Sequence, residues 1–390
     1  MRILHTSDWH LGRSFHRVGM LEHQAAFVDH LIGVVESESA DLVVVSGDVY
    51  DRALPHVDAV RLADEALSRL AASRAKVVLT SGNHDSAQRL GFGSRLIAAA
   101  GVFLRTDASS VGSPVVLEDQ HGPVAVHGIP YLDPQALHEP WELPARSHEA
   151  ALAEAMRRVR VDLAARPARS VVLAHAFVAG GLPSDSERDI SVGGISIVPG
   201  SLFDGISYTA LGHLHGRAVL GETLRYSGSP LAYSFSEAGH TKGCWLVDLG
   251  ADGVTGTTFV EAPVPRRFST VSGDLEALLT DPRLDAVTDH WLQVTLTDHV
   301  RPSQPMERLR TRFPHTLVLS FAPDGAPTAG PVPTAMSGRS DHRIALDFIE
   351  EMRGAPATDD EADLLLDACD ACADDPEADT LLSTTTSGGG

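Results

Sequence analysis

The amino-acid sequence predicts a layered α/β fold on the basis of two alternating patterns. Continuous apolar runs, as in "DLVVVSGD" (41–48) and "KVVLTSGNHD" (76–85), are typical of short strands that are covered on both faces. Between them lie longer stretches whose apolar residues recur at helical spacing, as Phe27, Leu31 and Val34 do within 22–39. Strands that alternate with helices in this way indicate a layered core of sheet and helix.

The same two patterns predict the elements up to about residue 260. We expect strands at 2–8, 41–48, 76–85, 123–131, 170–175, 207–215 and 243–250, and helices at 22–39, 56–73 and near 148–165. The pattern changes at "APVPR" (262–266). Residues 267–321 predict a small α+β unit, with strands at 267–271, 291–297 and 316–321 and helices from Asp274 and near 304–313.

The remaining residues predict a linker, two helices and a tail. The linker is rich in Pro and Gly, and "DHRIALDFIEEMRG" (341–354) has the apolar spacing of an amphipathic helix, with a second helix at "DEADLLLDAC". We therefore expect five segments: a large α/β domain (1–262), a small domain (263–325), a linker (326–340), C-terminal helices (341–370) and a disordered acidic, low-complexity tail (371–390).

The composition indicates a cytoplasmic globular protein. Hydrophobic residues make up 43% of the 390-residue chain, and no apolar run has the length of a signal peptide core or of a membrane span. The three cysteines, Cys244, Cys369 and Cys372, form no disulfide framework. Cys369 and Cys372 have the spacing of a zinc-binding pair but no second pair, so we interpret that spacing as a coincidence.

The formal net charge of −21 argues against a nucleic-acid partner. Residues 355–390 contain ten acidic residues and no basic one, so removing their −10 leaves −11 on the rest of the chain. Global charge does not describe a local groove. We expect any attraction for a polyanion to come from metal ions, helix N-termini and Arg13, Arg17 and Arg89, although surface ion pairs explain these arginines equally well.

Five of the predicted strands end in a cluster of polar residues. Each cluster taken alone is typical of an ordinary turn or of a histidine buried in a core. Groups beyond the carboxyl ends of the strands of an open α/β sheet converge on one crevice, so the recurrence favours a single site. The clusters supply Asp8 and His10, then Asp48, then Asn83 and His84, then His175, and finally His213 and His215.

These side chains form a donor set for divalent metal ions. Without His84 they comprise two carboxylates, four imidazoles and one carboxamide, all of which are nitrogen or oxygen ligands. If Asp48 bridges two ions, the seven residues divide into two groups of four. The two carboxylates neutralise only part of the charge of two M²⁺ ions, and the positive charge that remains suits a phosphate group.

The motifs resemble the calcineurin-like metallophosphoesterase superfamily: D-x-H, G-D-x-x-D, G-N-H-D, a later His and G-H-x-H. "HTSDWHLGRSF", "GDVYDRALP", "SERDISVGG" and "YSGSPLAYSFSE" are similar to the bacterial SbcD branch, which supplies the nuclease subunits of SbcCD complexes and belongs with the double-strand-break repair nucleases. The resemblance covers roughly residues 1–325 and extends to the helix at 341–354.

The resemblance implies a β-sandwich flanked by helices and a site with two divalent ions, expected to be Mn²⁺. One ion is expected on Asp8, His10, Asp48 and His215, and the other on Asp48, Asn83, His175 and His213. His84 is then the imidazole that protonates or steadies the leaving oxygen, and Asp85 either orients it or caps the following helix. Residues 263–325 are implied to be a capping domain that positions DNA.

The resemblance also implies partners and an activity. We expect a nuclease with 3′→5′ exonuclease and endonuclease action on double-stranded DNA ends and hairpins, acting in DNA repair, recombination and replication. Its partner would be an SbcC-like ATPase of the SMC family, in a heterotetramer that contains a homodimer of this chain. Ile344, Phe348 and Met352 share one face of the predicted helix and are expected to contact that ATPase, unless the helix packs on its own chain.

Two other functions remain open from the sequence. The same metal site serves small-molecule phosphodiesterases and phosphatases, although protein phosphatases usually show "GNHE" where this chain has Asp85. A non-catalytic scaffold for DNA ends is the other alternative, and the intact donor set argues against it.

Overall fold

The computed structural model describes residues 1–166, 168–190, 197–323 and 340–373. The predicted linker (326–340) and tail (371–390) lie outside the described residues, apart from residue 340 and residues 371–373. The chain divides into two compact units, residues 1–295 with 304–320, and residues 296–303 with 321–390. In the part that is described, no helix is both long and apolar enough to cross a membrane.

The strands and helices are numbered in chain order. The strands are β1 (Arg2–Thr6), β2 (Ser14–Phe15), β3 (Val18–Gly19), β4 (Leu42–Ser46), β5 (Lys76–Thr80), β6 (Val102–Arg105), β7 (Val115–Asp119), β8 (Gly122–Ile129), β9 (Arg169–His175), β10 (Tyr208–Gly212), β11 (Ala218–Val219), β12 (Leu224–Tyr226), β13 (Gly243–Leu249), β14 (Val254–Glu261), β15 (Phe268–Gly273), β16 (Trp291–Leu296) and β17 (Thr316–Phe321). The helices are α1 (Leu21–Ser37), α2 (Val57–Ala72), α3 (Ala87–Leu90), α4 (Ser94–Ile97), α5 (Pro134–Leu137), α6 (His148–Ala165), α7 (Leu275–Thr280), α8 (Pro305–Arg312), α9 (Asp341–Arg353) and α10 (Asp359–Ala373).

Two six-stranded sheets form the centre of the first unit. Their strand orders are β14-β13-β1-β4-β5-β6 and β11-β12-β10-β9-β8-β7. The buried residues Leu42 and Val44 of β4 pack in one apolar cluster with Val171 and Leu173 of β9, so the two sheets lie face to face. The predicted β-sandwich is therefore confirmed.

Helices cover the outer faces of this sandwich. Val43 and Val45 of β4 point away from the second sheet and pack in a cluster with Leu31 of α1 and Leu62 of α2. On the other side, Met156 of α6 packs with the second sheet. The alternation along β4 explains its continuous apolar run, because one set of side chains faces helices and the other faces a sheet.

Five strands of these sheets were not predicted from the sequence, namely β6, β7, β11, β12 and β14. Four of them are the edge strands of the two sheets, and the fifth, β12, is only three residues long. Along β7 and β14, buried or half-buried residues are interspersed with exposed ones. Such edge strands lack the long apolar run by which the central strands were recognised.

The segment after residue 262 begins with a separate three-stranded sheet of order β15-β16-β17. Within the first unit, Phe268 and Trp291 of this segment pack with Phe15, Tyr233 and Phe235 in one aromatic cluster. The Phe15 and Phe268 rings are stacked, with centroids 4.4 Å apart. The predicted strands and helices of residues 267–321 are thus present.

The second unit contains the helical pair α9 and α10. The Arg353 guanidinium at the end of α9 forms an ion pair with Glu361 in the first turn of α10, and His342 Nε2 donates to the Ala362 carbonyl oxygen at 3.0 Å. Phe348 and Met352 are exposed on α9, and Leu364 is exposed on α10. The two predicted C-terminal helices are therefore present, and they leave apolar side chains uncovered within their own unit.

Candidate metal centre

All five polar clusters predicted from the sequence lie at one end of the sandwich. β1, β4 and β5 are adjacent parallel strands of the first sheet, and β9 and β10 are adjacent parallel strands of the second. From the sequence, the five strand ends were expected to converge at the edge of one open sheet. That arrangement is wrong, because the ends converge across two facing sheets, three from one and two from the other.

The first group of candidate ligands contains Asp8, His10 and His215, whose ligand atoms all lie within 4.8 Å of one another. His10 Nε2 lies 3.0 Å from His215 Nε2 and 3.6 Å from Asp48 Oδ2. These side chains are almost fully buried. Together with Asp48, they are the residues that the resemblance implies for the first ion.

The second group is built around the half-buried Asn83. Its Oδ1 lies 2.9 Å from His175 Nε2 and 3.2 Å from His213 Nδ1, and His175 Nε2 lies 3.5 Å from Asp48 Oδ2. The same Asp48 oxygen thus approaches His10 of the first group and His175 of the second. This is the position that a bridging carboxylate requires.

His84 also lies at the centre. Its Nδ1 donates to the Asp51 carbonyl oxygen at 2.7 Å, and its Nε2 lies 4.0 Å from Asp48 Oδ2. Because a carbonyl oxygen only accepts, Nδ1 carries a proton and Nε2 faces the site. His10, Asp48 and His84 also form a compact group of potential ligands, so proximity alone does not separate His84 from the ligands.

Several residues in the loops that carry the candidate ligands have an unusual backbone conformation. Asp8 (φ 54°), His10 (φ 46°), Asp48 (φ 49°) and His213 (φ 106°) all adopt positive φ. This conformation is costly for residues other than glycine and is found where surrounding structure enforces it, often at functional sites. Gly82 is required for a different reason. A Cβ there would lie 2.1 Å from Asp48 Oδ1, so a side chain at this position would push the loop after β5 away from the loop after β4.

Burial controls the charge of these groups. It lowers the pKa of His10, His175 and His213, with further lowering of the His10 and His213 values by neighbouring imidazoles, so the rings are neutral and able to bind a metal ion. Burial and the charge of Asp48 raise the pKa of Asp8 well above its usual value. Within the described residues, the ion pairs found for Asp8 and Asp48 involve only imidazoles.

The donor set fits divalent cations. His175 Nδ1 lies 3.0 Å from the Ser46 carbonyl oxygen and must donate to it, so the lone pair of Nε2 points at the Asn83 oxygen. Two acceptor atoms, His175 Nε2 and Asn83 Oδ1, are thus in contact. They lie beside the buried carboxylates of Asp8 and Asp48, which repel each other. A cation bound among these atoms would relieve the repulsion. The nitrogen and oxygen donors without a thiolate suit a hard or borderline ion such as Mn²⁺, Mg²⁺ or Zn²⁺.

Asp85 has neither of the roles expected from the sequence. Its Oδ2 accepts from the backbone N–H groups of Val49 and Gly82, at 3.0 and 2.9 Å, and its Oδ1 accepts from Tyr50 N–H at 2.8 Å. The cap of α3 is Ser86, whose hydroxyl accepts from Arg89 N–H. Asp85 therefore joins the loop after β4 to the loop after β5.

The arginines singled out in the sequence differ in their surroundings. Arg13 donates to the Ser186 carbonyl oxygen at 2.7 Å and lies over the Tyr233 ring, which leaves it largely enclosed. Arg17 and Arg89 are exposed, and Arg89 donates to the Ala53 carbonyl oxygen. Arg188, which no sequence motif singled out, is exposed, and its guanidinium donates to the main-chain carbonyl oxygen of Asn83 at 3.4 Å.

A buried ion pair near His215 was also missed. Lys242 Nζ donates to Glu237, and both side chains are nearly inaccessible to solvent. Burial alone would raise the pKa of Glu237, but the Lys242 charge and the nearby His215 imidazole, 3.6 Å away, hold it well below its usual value. Burial lowers the pKa of Lys242, and Glu237 opposes that shift. Glu237 is the last residue of "YSGSPLAYSFSE". That motif indicated the resemblance to the SbcD branch but did not indicate a function for Glu237.

Two family models match the chain. Residues 1–215 match the calcineurin-like phosphoesterase model, and residues 264–352 match the SbcD C-terminal model, described as the type 5 capsule protein repressor C-terminal domain. The pair of matches confirms the resemblance to the SbcD branch.

Several solved structures are also similar to this chain. TT1561 of Thermus thermophilus is 13% identical, with a TM-score of 0.39, over 66% of this chain and 98% of that one. An archaeal phosphodiesterase is 11% identical, with a TM-score of 0.30, over 67% of this chain and 100% of that one. GAP50, the anchor in the inner membrane complex of Plasmodium, is 11% identical, with a TM-score of 0.35, over 85% and 99%.

The phosphoesterase match spans more than half of the 390 residues and contains all eight candidate site residues. The protein belongs to the calcineurin-like phosphoesterase family.

Proposed function

We propose that the protein is a Mn²⁺-dependent DNA nuclease of the SbcD type, with 3′→5′ exonuclease and endonuclease action on double-stranded ends and hairpins. The observation that carries the proposal is the buried group of carboxylates and imidazoles in which Asp48 Oδ2 approaches His10 and His175 at 3.6 and 3.5 Å. The C-terminal match over residues 264–352 supports DNA, rather than a small diester, as the substrate.

The residues would divide into two sets of ligands that share Asp48. We assign Asp8, His10, Asp48 and His215 to one ion, and Asp48, Asn83, His175 and His213 to the other. Two bound cations would stabilise charge on the phosphoryl oxygens and lower the pKa of an attacking water. Such binding requires neutral imidazoles and an exposed acceptor oxygen. Burial keeps His10 and His175 neutral, and the side-chain oxygen Oδ1 of Asn83 faces His175.

His84 is assigned to the leaving oxygen. Its Nδ1–H is held by the Asp51 carbonyl oxygen, so the ring is oriented and Nε2 is directed at the centre. In the charged form, Nε2 carries a proton that can be transferred to the departing 3′ or 5′ oxygen. Its backbone N–H also donates to Asp48 Oδ1 at 2.9 Å, which couples its position to the shared ligand.

DNA binding is assigned to a local surface. Arg89 and Arg188 are exposed near the loops that carry Asn83, and residues 263–325 are proposed to cap the site and position the duplex. Phosphate contacts by arginine make affinity fall with salt concentration. Arg89→Ala and Arg188→Ala should each reduce the log–log salt slope of duplex binding by about one, with Ca²⁺ replacing Mn²⁺ to suppress cleavage. Unchanged slopes would remove both residues from the DNA path.

Two exposed apolar surfaces support the proposed protein partners. Phe348 and Met352 on α9 are 61% and 72% exposed and suit contact with the coiled coil of an SbcC-like ATPase. Phe92 and Leu96, beside and within α4, are 85% and 82% exposed and suit the homodimer contact. Together they support a heterotetramer of two nuclease and two ATPase chains.

The test is a cleavage assay on three substrates: an end-labelled duplex, a DNA hairpin and a small chromogenic phosphodiester. The wild-type protein with Mn²⁺ should cleave both DNAs, and Asp48→Asn protein purified in parallel should not, which excludes a contaminating nuclease. Cleavage of the small diester alone would favour a small-molecule phosphodiesterase. Duplex binding without cleavage of any substrate would favour a scaffold for DNA ends.

A further inference from the structure

Residues outside the proposed ligand sets hold three of the four polar atoms of His215. Its backbone N–H donates to Glu187 Oε1 at 2.7 Å, and its carbonyl oxygen accepts from Lys242 Nζ at 2.8 Å. Its ring Nδ1 lies 2.5 Å from the Ser186 hydroxyl. The fourth, Nε2, faces the centre and lies 3.0 Å from His10 Nε2.

The directions of the hydrogen bonds follow from the donors available. The Ser186 hydroxyl contacts both His215 Nδ1 and Glu237 Oε1 and has one proton to give. Glu237 accepts from Lys242 at its other oxygen, and an ionised carboxylate has no proton to donate. Ser186 therefore donates to Glu237, and its oxygen accepts from Nδ1–H of His215. The lone pair of His215 then resides on Nε2.

We propose that Lys242, Glu237 and Ser186 form a buried positioning relay that holds His215 as the Nδ1–H tautomer, so that Nε2 is presented to a metal ion. The inference rests on the metal centre of the proposed function and adds to it three residues that contact no substrate. Metal-binding imidazoles need such an outer partner to fix the ring and its tautomer.

The burial of the relay argues for a specific role. Glu237, Lys242 and Ser186 are 1%, 6% and 7% exposed. Moving a lysine and a glutamate out of water is costly, and an apolar pair often stabilises a core as well. The chain contains only two lysines, and one of them is buried here. An ion pair that only joined loops would stabilise the fold but would leave the tautomer of His215 undetermined.

The decisive measurement is the tautomer of His215 in the metal-free protein. Long-range ¹H–¹⁵N spectra of protein labelled at histidine nitrogen, assigned with a His215→Gln variant, should show a protonated Nδ1. In Glu237→Gln protein the side-chain NH₂ of the glutamine can donate to the Ser186 oxygen. The Ser186 hydroxyl is then free to donate its proton to His215 Nδ1. The spectrum should therefore shift toward the Nε2–H form.

Metal affinity gives the second readout, from calorimetric titration with Mn²⁺ in the absence of DNA. Glu237→Gln and Ser186→Ala should weaken the binding of one Mn²⁺ ion by about 10–100-fold, the usual effect of removing an outer partner. Ser186→Thr retains the hydroxyl and should bind nearly as the wild type does. Glu139→Gln, an exposed glutamate on another loop, is the matched control and should leave affinity unchanged.

If a variant does not fold, the wild-type spectrum still tests the proposal, because it shows which ring nitrogen of His215 carries the proton. A His215 that carries its proton on Nε2 would overturn the proposal, and so would Glu237→Gln and Ser186→Ala proteins that fold and bind Mn²⁺ as tightly as the wild type. Neither measurement uses DNA or turnover. Failure of the nuclease assignment would therefore appear in the cleavage assay without altering these results.

Discussion

Asp85 provides a quantitative test of how the ligand loops are held together. It accepts three backbone N–H bonds, from Val49, Tyr50 and Gly82, and so joins residues adjacent to Asp48 and Asn83. Burial and the charge of Asp48 raise the pKa of Asp85 to about 7, so the side chain is ionised only above that pH. In that form a hydrogen bond to a charged group contributes about 1.5–3 kcal/mol, and three have a gross upper limit of about 9 kcal/mol. Because the bonds are only partly buried and water replaces some of them, we expect Asp85→Ala to lower the free energy of unfolding by about 3–5 kcal/mol.

The assay is urea denaturation of the metal-free protein at a pH well above 7, where Asp85 is ionised, followed by Mn²⁺ titration of the folded variant. Asp85→Asn keeps an acceptor oxygen and should lose about half as much stability. Ser86→Ala removes the helix cap instead and should cost about 1 kcal/mol or less, since its bond to Arg89 N–H is 3.4 Å long.

The reasoning fails if Asp85→Ala and Ser86→Ala proteins have the same unfolding free energy. It also fails if Asp85→Ala leaves stability and Mn²⁺ affinity intact and slows cleavage as His84→Ala does. That second outcome would restore the role in orienting His84 that was expected from the sequence. A lower Mn²⁺ affinity together with lower stability supports the joining of the two loops.

Four further predictions test other parts of the molecule. His84→Ala should keep both ions by metal analysis and lose about 10²-fold or more in turnover, whereas loss of an ion would make His84 a ligand. Asp48→Ala should lose both ions, and one ion retained at full occupancy would refute the bridging role. Phe348→Glu should abolish co-purification with an SbcC-like ATPase, while Glu350→Ala on the opposite face should not. Hydrogen bonds from Arg169 hold the pKa of Asp119 below its usual value of about 3.9, so its stabilisation is complete at neutral pH and lost in acid. In Asp119→Asn protein the free energy of unfolding should therefore fall less steeply with decreasing pH below about pH 4. A pH dependence equal to that of the wild type in this range would contradict the prediction.

The candidate ligands could be found from the sequence because their signal is local. Each ligand follows an apolar strand within a few residues, as Asp48 follows β4 and Asn83 follows β5. A strand end and a polar cluster can be recognised in ten consecutive letters. Each proposed ligand set combines residues from both sheets. That could not be predicted from a local pattern, because nothing in "LAHAF" or "LGHLH" indicates which sheet the strand joins.

The supporting residues carried no such signal. Ser186 lies 29 residues from His215, Glu237 lies 51 residues from Ser186, and Lys242 lies 27 residues from His215. Each is an ordinary polar residue in its own segment, and only the fold makes it a partner of a ligand. Asp85 was misassigned for the same reason. A carboxylate before a helix usually caps it, but two of the N–H groups that donate to Asp85 lie more than thirty residues away, at Val49 and Tyr50.

The positive φ angles of Asp8, His10 and Asp48 indicate that hydrogen bonds between loops hold the geometry of the candidate metal centre. Asp8 N–H donates to the Gly47 carbonyl oxygen at 3.1 Å, and His10 N–H donates to the Asp48 carbonyl oxygen at 3.0 Å. The left-handed backbone of Asp8, His10 and Asp48 is therefore held by bonds between the loops after β1 and β4, which are adjacent parallel strands. Backbone strain of this kind costs about 1–3 kcal/mol per residue and persists only where neighbouring structure enforces it. Because these bonds join protein groups alone, the loops can hold the ligand geometry before any cation binds, and a metal ion then gains affinity from a site that needs little reorganisation.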